Sequence, residues 1–360
     1  MSRTLITAEW LSPLGGSERV VEHLAATLPD ARVFAPVVFA DGAPSIDRSR
    51  IGAAFRRPER LMARREAAAA MNAATWPTWG RTLDRRADLV IASHHMSSHW
   101  TACYSDVPHV AYVHTPARYA WFPELDDRAS GSLPARVLGA HIRRMDRRAA
   151  PRVRAYAANS EATRQRIQQV WHRDATVIYP PTDLSRFDHV TAREGVEPFL
   201  LGLSRFIPYK RVDYVVDVAE AAGLPAVLVG RGHLEPQLRE RAERASVPVR
   251  VVTDASDEQV AQLMADAAAL VYPAVEDFGL VPVEAMAAGT PVLALDEAGT
   301  KETVLPGVSG ALLPELDARA WADRVAEVMA LDADGVRKRA ADFGVPAFAE
   351  AIRGWVAQHS

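Results

Sequence analysis

Short apolar runs recur along the chain with helix-like segments between them. They are Thr4–Thr7, Arg32–Val38, Leu89–Ala92, Val110–Val113, Ala155–Ala158 and Thr176–Ile178, then Phe199–Leu203, Ala226–Gly230, Val249–Val252 and Ala269–Tyr272. The intervening segments include Ser17–Leu28, whose Val21, Leu24 and Leu28 share one helical face, Glu235–Arg244 and Asp257–Ala265. This alternation predicts an α/β fold with doubly wound parallel sheets. At 360 residues the chain is too long for one ordinary core and suits two domains. Pro180-Pro181 can continue neither strand nor helix and suits a linker, which places the boundary near Asp183. No apolar run approaches the ~18 residues of a membrane span, and the N-terminus enters a strand-like segment directly, so neither a membrane helix nor a signal peptide is expected. The single cysteine, Cys103, leaves no internal disulfide to form; it fits a reducing cytoplasm and is read as a small buried hydrophobe.

A net charge of −3 hides an asymmetry. Through Asp183 there are 25 Arg, no Lys and 18 acidic residues, a net of +7; the remainder holds 42 − 25 = 17 basic against 45 − 18 = 27 acidic residues, a net of −10. Two arginine-rich segments, Phe55–Glu66 and Arg143–Arg154, carry much of the excess. Such runs are either solvated helix faces or contacts to an anionic membrane surface or lipid-diphosphate acceptor. Lysine occurs only at Lys210, Lys301 and Lys338.

Val271–Leu295 reads VYPAVEDFGLVPVEAMAAGTPVLAL. The strand-like Ala269–Tyr272 is followed by a Pro/Asp/Gly loop, then a helix from about Leu280 to Ala288, with Gly289 as its stop and Pro291 opening the next apolar run. Backbone N–H groups of Phe278, Gly279 and Leu280 at the helix start form an anion site built from backbone alone. Glu276 and, eight residues on, Glu284 frame it. A carboxylate beside a phosphate site is costly unless it binds something else, and sugar hydroxyls are natural partners. The unit therefore asks for a ligand carrying both phosphate and hydroxyls, as a sugar nucleotide does. Upstream, Arg205 at a strand end and Lys210 at a helix start, five apart, can converge on one diphosphate: the guanidinium forks two oxygens and the ammonium acts as a point charge.

In the first half, Leu14-Gly15-Gly16-Ser17 is a tight loop entering a helix, either an approach to a diphosphate or acceptor or an ordinary turn. Tyr112–Trp121, YVHTPARYAW, follows a strand end, where ligands bind in such sheets, and gathers His114, Arg118, Tyr119 and Trp121. Ser160 is a plausible N-cap. Asp332-Ala333-Asp334 is formally a DxD metal motif but lies in a helical stretch and is read as surface; no metal site is expected.

The run EDFGLVPVEAMAAGTPV resembles the E-x7-E signature of the retaining GT-B glycosyltransferases of family 4 (group 1). HTPARYAW is similar to the HTPxRYxW segment of that family's bacterial mannosyltransferase-like branch, with Ala117 where Met is usual, and SRFIPYKRVD resembles its SRxxPYKRxD. The resemblance implies two Rossmann-like domains facing an interdomain cleft: 1–183 on the acceptor side, 184–340 binding the nucleotide sugar, and 341–360 a helix packing back on the first domain. It implies transfer of a hexosyl group, mannosyl from GDP-mannose first, to a glycan, lipid-linked or small-molecule acceptor, with retention and without metal or other cofactor. Arg205, Lys210 and the helix start at Phe278, Gly279 and Leu280 would neutralise the leaving diphosphate. Glu284 would hold the ribose, Glu276 the donor sugar, and the loops at Gly230 and Thr253 the nucleobase, although Thr253 stands where glycine is common. His114 with Gly15 and Gly16 would present donor sugar and acceptor, and Arg118, Tyr119 and Trp121 would line the acceptor side. Ala298–Glu302 departs from the family's GG-x-x-E. Both a double displacement and a front-face route fit these residues. The implied setting is cytoplasmic, peripheral at the membrane through the arginine-rich half, without nucleic acid. UDP- or dTDP-sugar donors and an inactive sugar-nucleotide-binding subunit stay open. An epimerase or a phosphorylase would share the architecture, but the phosphorylase needs a pyridoxal-phosphate lysine that none of the three lysines offers.

Overall fold

The computed structural model describes residues 3–12, 16–56, 72, 75–123 and 133–360. Gly15 of the glycine loop, and Arg57, Arg64 and Arg65 of the first arginine-rich segment, lie outside the described residues. The chain divides into two compact units, Met1–Pro181 with Phe348–Ser360, and Thr182–Ala347.

In the first unit the strands are β1 (Thr4–Thr7), β2 (Trp10–Leu11), β3 (Arg32–Val38), β4 (Ile51–Arg56), β5 (Leu89–His94), β6 (His109–Val113), β7 (Ala155–Ala158) and β8 (Thr176–Val177). All pair in parallel: β1, β5, β6, β7 and β8 follow side by side, while β3 pairs with β1, β2 and β4. Strands buried on both faces need no polar alternation, which is why the apolar runs were legible. Ile6, Val33, Leu89, Ile91 and Val110 meet Val21 and Leu24 of the helix Gly16–Thr27 in one cluster. Each fully buried aliphatic side chain there is worth about 1.5–3 kcal/mol. The helix Val345–His359 completes this cluster with Phe348, Ile352, Trp355 and Val356. Phe348 lies edge-on to Tyr112, ring centroids 5.8 Å apart, and Arg154 donates to the His359 carbonyl at 3.0 Å.

The second unit holds β9 (Leu200–Leu203), β10 (Ala226–Val229), β11 (Val249–Val252), β12 (Ala269–Tyr272), β13 (Val292–Leu295) and β14 (Gly310–Leu313). All are parallel, in the order β11-β10-β9-β12-β13-β14. The order reverses between β9 and β12, and loops leaving the carboxyl ends of two such neighbours diverge to opposite faces and open a crevice. Those are the loops carrying Arg205 and Lys210 after β9 and Glu276 after β12. The unit's two ends meet where Thr182 donates to the Phe343 carbonyl at 3.0 Å. Among the described residues no helix is long and apolar enough to cross a membrane.

Candidate functional site

The loop after β9 makes one turn of 3-10 helix, Pro208–Lys210, and ends with Arg211 in the left-handed region at φ 49°. That reversal turns Lys210 inward: it is 4% exposed, whereas the neighbouring Tyr209 is 39% exposed. A buried ammonium needs a counter-charge. Lys210 Nζ pairs with Glu276 Oε1, and the other oxygen, Oε2, accepts from the hydroxyl of Tyr272 at the end of β12. The ammonium also lies 5.2 Å from the Tyr209 ring centroid and 6.0 Å from that of Tyr272. Burial raises the Tyr272 phenol, with Tyr209 and Glu284 acting in the same direction, so it remains a donor to Glu276. Arg205 stands outside this pair, exposed, and donates to the Tyr209 hydroxyl at 2.8 Å.

The loop after Glu276 is fixed by its backbone. Gly279 caps the helix Leu280–Ala287 at φ 86°, a left-handed conformation that costs a side-chain-bearing residue about 1–2 kcal/mol, and no side chain caps this end. Pro282, inside the first turn, adds no N–H to the orphan set. Gly299 approaches the loop so closely that a Cβ would overlap the Phe278 backbone, and its N–H donates to the Glu276 carbonyl at 2.9 Å. The departure from GG-x-x-E at Ala298–Glu302 thus retains a backbone clamp on the glutamate loop. Phe278 is buried against Phe343, centroids 5.6 Å apart. Glu284 lies 3.7 Å from Arg186, which also reaches Asp257 at 3.6 Å. Gly230 donates to the Val252 carbonyl at 3.0 Å, and the Thr253 carbonyl accepts from Arg231. Lys210, Glu276 and Tyr272 thus form one contact group, while Arg205 and Glu284 each have a different partner.

In the first unit His114 follows β6, its Nε2 2.8 Å from the Ser93 hydroxyl. Burial, reinforced by His95, pushes its pKa down to about 3, so the imidazole is neutral near pH 7. The unfolded chain takes up this proton around pH 6.5, which the folded protein refuses until about pH 3, so the stability His114 contributes is complete above 6.5 and declines as pH falls between those values. Urea unfolding between pH 7 and pH 4 should therefore lose stability more steeply in the wild type than in His114→Gln, by at most about 1.4 kcal/mol per pH unit. Equal slopes would contradict the half-buried neutral imidazole.

Gly16 opens the helix Gly16–Thr27, and among the described residues nothing lies within 4 Å of the place its Cβ would take. Arg118, Tyr119 and Trp121 form the short helix Arg118–Trp121. Trp121 spends its indole N–H on Asp146 at 2.7 Å and stacks under Arg147, 5.1 Å from the ring centroid. It is held by the first unit's interior, and Tyr119 packs against the cluster around Trp76. The second arginine segment is divided among several tasks. Arg143 donates to the Ala120 carbonyl at 2.5 Å, and the pair read as surface, Asp332 and Asp334, caps the helix Ala333–Ala341 and pairs with Arg337.

The sequence reading missed Glu9. Fully buried just past β1, it accepts backbone N–H bonds at Oε1 from Met96, Ser97 and Ser98 at 3.0, 2.8 and 2.9 Å, and Oε2 lies 3.1 Å from His95 Nδ1. Burial would raise this carboxyl, but His95, His94 and the Ser97 N–H together hold it well below the usual range. Beside it, His94 stacks on His99 with centroids 4.0 Å apart, and His99 Nε2 lies 3.1 Å from Asp146. These last three residues are the described group close enough to share a metal. Asp146, however, already accepts from the indoles of Trp100 and Trp121, both at 2.7 Å, a donor set that suits a carboxylate in a hydrogen-bond network. The visible signal was the His-His pair at a strand's carboxyl end.

Residues 14–186 match the family described as Glycosyltransferase Family 4, and residues 186–344 match Glycosyl transferases group 1. Together they cover residues 14–344, most of both units. The chain belongs to glycosyltransferase family 4. Among its curated relatives is D-inositol 3-phosphate glycosyltransferase of Mycolicibacterium smegmatis, 32% identical over 193 residues, 48% of this chain and 44% of the relative. Another is phosphatidyl-myo-inositol mannosyltransferase of Mycobacterium leprae, 40% identical over 129 residues, 35% of this chain and 33% of the relative. The chain spans about half the length of the curated relatives it matches. The fold of this family 4 chain is similar to that of sucrose-phosphate synthase from Thermosynechococcus elongatus, with a TM-score of 0.74 at 20% identity over 99% of this chain and 98% of that one. It is also similar to Anabaena HepE in complex with UDP, with a TM-score of 0.72 at 21% identity over 99% of this chain and 100% of that one. The architecture is GT-B, two parallel-sheet α/β domains.

Proposed function

We propose that this family 4 chain transfers a hexosyl group from a nucleoside-diphosphate sugar to a hydroxyl acceptor, with retention and without a metal. The observation that carries the reading is Lys210, a buried ammonium at the β9/β12 reversal, paired with Glu276. A cation on that crevice, beside an uncapped helix start and the exposed Arg205, can take the charge that builds on a leaving diphosphate. Glu276 is assigned to the donor sugar's hydroxyls, Glu284 to the ribose, and the loops at Gly230 and Thr253 to the nucleobase. His114, neutral, is assigned to hydrogen bonding with sugar or acceptor.

Mannosyl transfer from GDP-mannose is the first specific choice, supported by the HTPARYAW and SRFIPYKRVD segments and by the relative from M. leprae bearing a mannosyltransferase name. The complexes of HepE with UDP and with UDP-glucose favour a UDP-sugar as the second. Thermal-shift measurements in EDTA with GDP-, UDP-, ADP- and dTDP-sugars decide between them, because a ligand that binds only the folded state stabilises by about 2.7 kcal/mol at a hundredfold excess over Kd. A shift with GDP-mannose in EDTA is the expected result. A larger shift with UDP-glucose would move the donor to the second choice, and a shift that requires added Mn²⁺ or Mg²⁺ would overturn the metal-free reading.

A further inference from the structure

A cavity of about 540 Å³ in the first unit is lined by four arginines, Arg81, Arg148, Arg152 and Arg154, together with Asp106 and Cys103. It opens at the amino-terminal ends of the strands: residues 107–109 lead into β6 and Arg154 leads into β7. Ligand crevices of parallel sheets lie at the opposite, carboxyl-terminal edge. β6 runs from His109 to Val113, so at about 3.3 Å per residue roughly 16 Å of strand separates the cavity from His114. The cavity is therefore distinct from the edge that carries Glu9, His95 and His114.

Four guanidinium groups share this cavity with one carboxylate, and among the described residues none of the four is ion-paired with an acidic side chain. Arg148 sits in the last turn of the helix Leu133–Ala149, where a cation is favoured by about 0.3–1 kcal/mol. That explains Arg148 alone; Arg81 and Arg154 come from other elements, and gathering like charges costs free energy. Two of the groups are also held in place. Arg152 donates to the Arg148 carbonyl at 2.6 Å and Arg154 to the His359 carbonyl at 3.0 Å, which leaves most of the five N–H donors of each guanidinium for a ligand. Guanidinium forks lining one cavity match phosphoryl oxygens. The volume lies in the ~300–1,000 Å³ range of small-molecule sites and exceeds what a lone phosphate fills.

We propose that this cavity is a second anion site, binding the phosphoryl group of a phosphorylated small molecule or of a lipid headgroup, built from the first unit alone and sharing no residue with the candidate donor site. Cys103, partly exposed on its wall and the chain's single cysteine, provides the reporter. Burial raises its thiol pKa, while Arg152 and Arg148 act the other way. A bound anion would both cover the thiol and cancel those charges, and both effects slow alkylation.

The test follows N-ethylmaleimide labelling of the whole chain by intact mass. One arm uses sodium pyrophosphate against sodium chloride of equal ionic strength; the other uses phosphatidylglycerol-containing vesicles against pure phosphatidylcholine. The expected result is a saturable slowing of about fivefold or more, since occlusion and loss of thiolate act together. Slowing by pyrophosphate alone identifies a soluble phosphorylated ligand, and slowing by the vesicles identifies a headgroup. Protection should persist in Lys210→Ala, which separates this cavity from the proposed diphosphate site, and vanish in Arg148→Gln/Arg152→Gln. Should that pair not fold, Arg81→Gln, on another element, takes its place. No slowing beyond the salt control in either arm, or slowing that survives the arginine replacements, overturns the proposal.

Discussion

In Lys210→Ala, free nucleoside diphosphate should bind about tenfold more weakly or worse and transfer should fall by a further hundredfold or so, whereas Glu276→Gln should keep or gain diphosphate affinity while losing transfer about hundredfold. The asymmetry follows from the pair itself. Glu276 neutralises the Lys210 ammonium before any ligand arrives. An entering diphosphate competes with that carboxylate for the cation, so removing the carboxylate's charge frees Lys210 for the phosphate and removes an acceptor from the sugar hydroxyls. Removing the lysine does the reverse: it takes away the charge proposed to face the leaving diphosphate and leaves a partly buried carboxylate with one donor fewer. The two replacements share an interaction, so their effects should not add in the double variant. Calorimetry with the free diphosphate beside steady-state kinetics reads both quantities. A Glu276→Gln protein that loses diphosphate affinity as Lys210→Ala does would mean that Glu276 serves the diphosphate rather than the sugar.

Glu9→Ala should destabilise the first unit by about 3–5 kcal/mol, the usual cost of removing one member of a buried charged network. Three backbone N–H groups at residues 96–98 point at Glu9 Oε1, and alanine would leave them buried and unpaired beside His95. Glu9→Gln retains an acceptor and should cost less. Because the native carboxyl is held below its ordinary value, its contribution is fully present above about pH 4.5 and is lost as pH falls below that. Chemical denaturation at pH 7 and at pH 4 measures both effects. A Glu9→Ala protein as stable as the wild type at pH 7 would show that the 95–98 turn does not depend on the carboxylate.

Five strands were legible to the residue: Thr4–Thr7, Arg32–Val38, Ala155–Ala158, Val249–Val252 and Ala269–Tyr272 match β1, β3, β7, β11 and β12. The strands not foreseen carry weaker patterns. β2 is two residues long, β4 is mostly Gly and Ala in its first half, and β14 begins at a glycine. Within the second unit, Lys210 and Glu276 are far apart in sequence yet readable as a set, since each lies in a loop at a strand's carboxyl end and the switch in strand order brings those loops together. Glu9 was not readable, because its partners lie 86 to 89 residues away and no spacing rule links a lone glutamate to them. Three of the four arginines around Cys103, Arg148, Arg152 and Arg154, read as part of one charged run, Arg143–Arg154, because periodicity does not tell which of them turn toward a common cavity with Arg81.

The helix Val345–His359 has a consequence for how this protein is made. Phe348, Ile352, Trp355 and Val356 fill the core between the first sheet and its helices, yet no residue after Ala347 exists until the whole second unit has been synthesised. The nascent amino-terminal half therefore waits with an unroofed core through the synthesis of residues 182–347, a span in which the second unit, continuous in sequence, is free to fold first. The half that begins the chain is the one completed later.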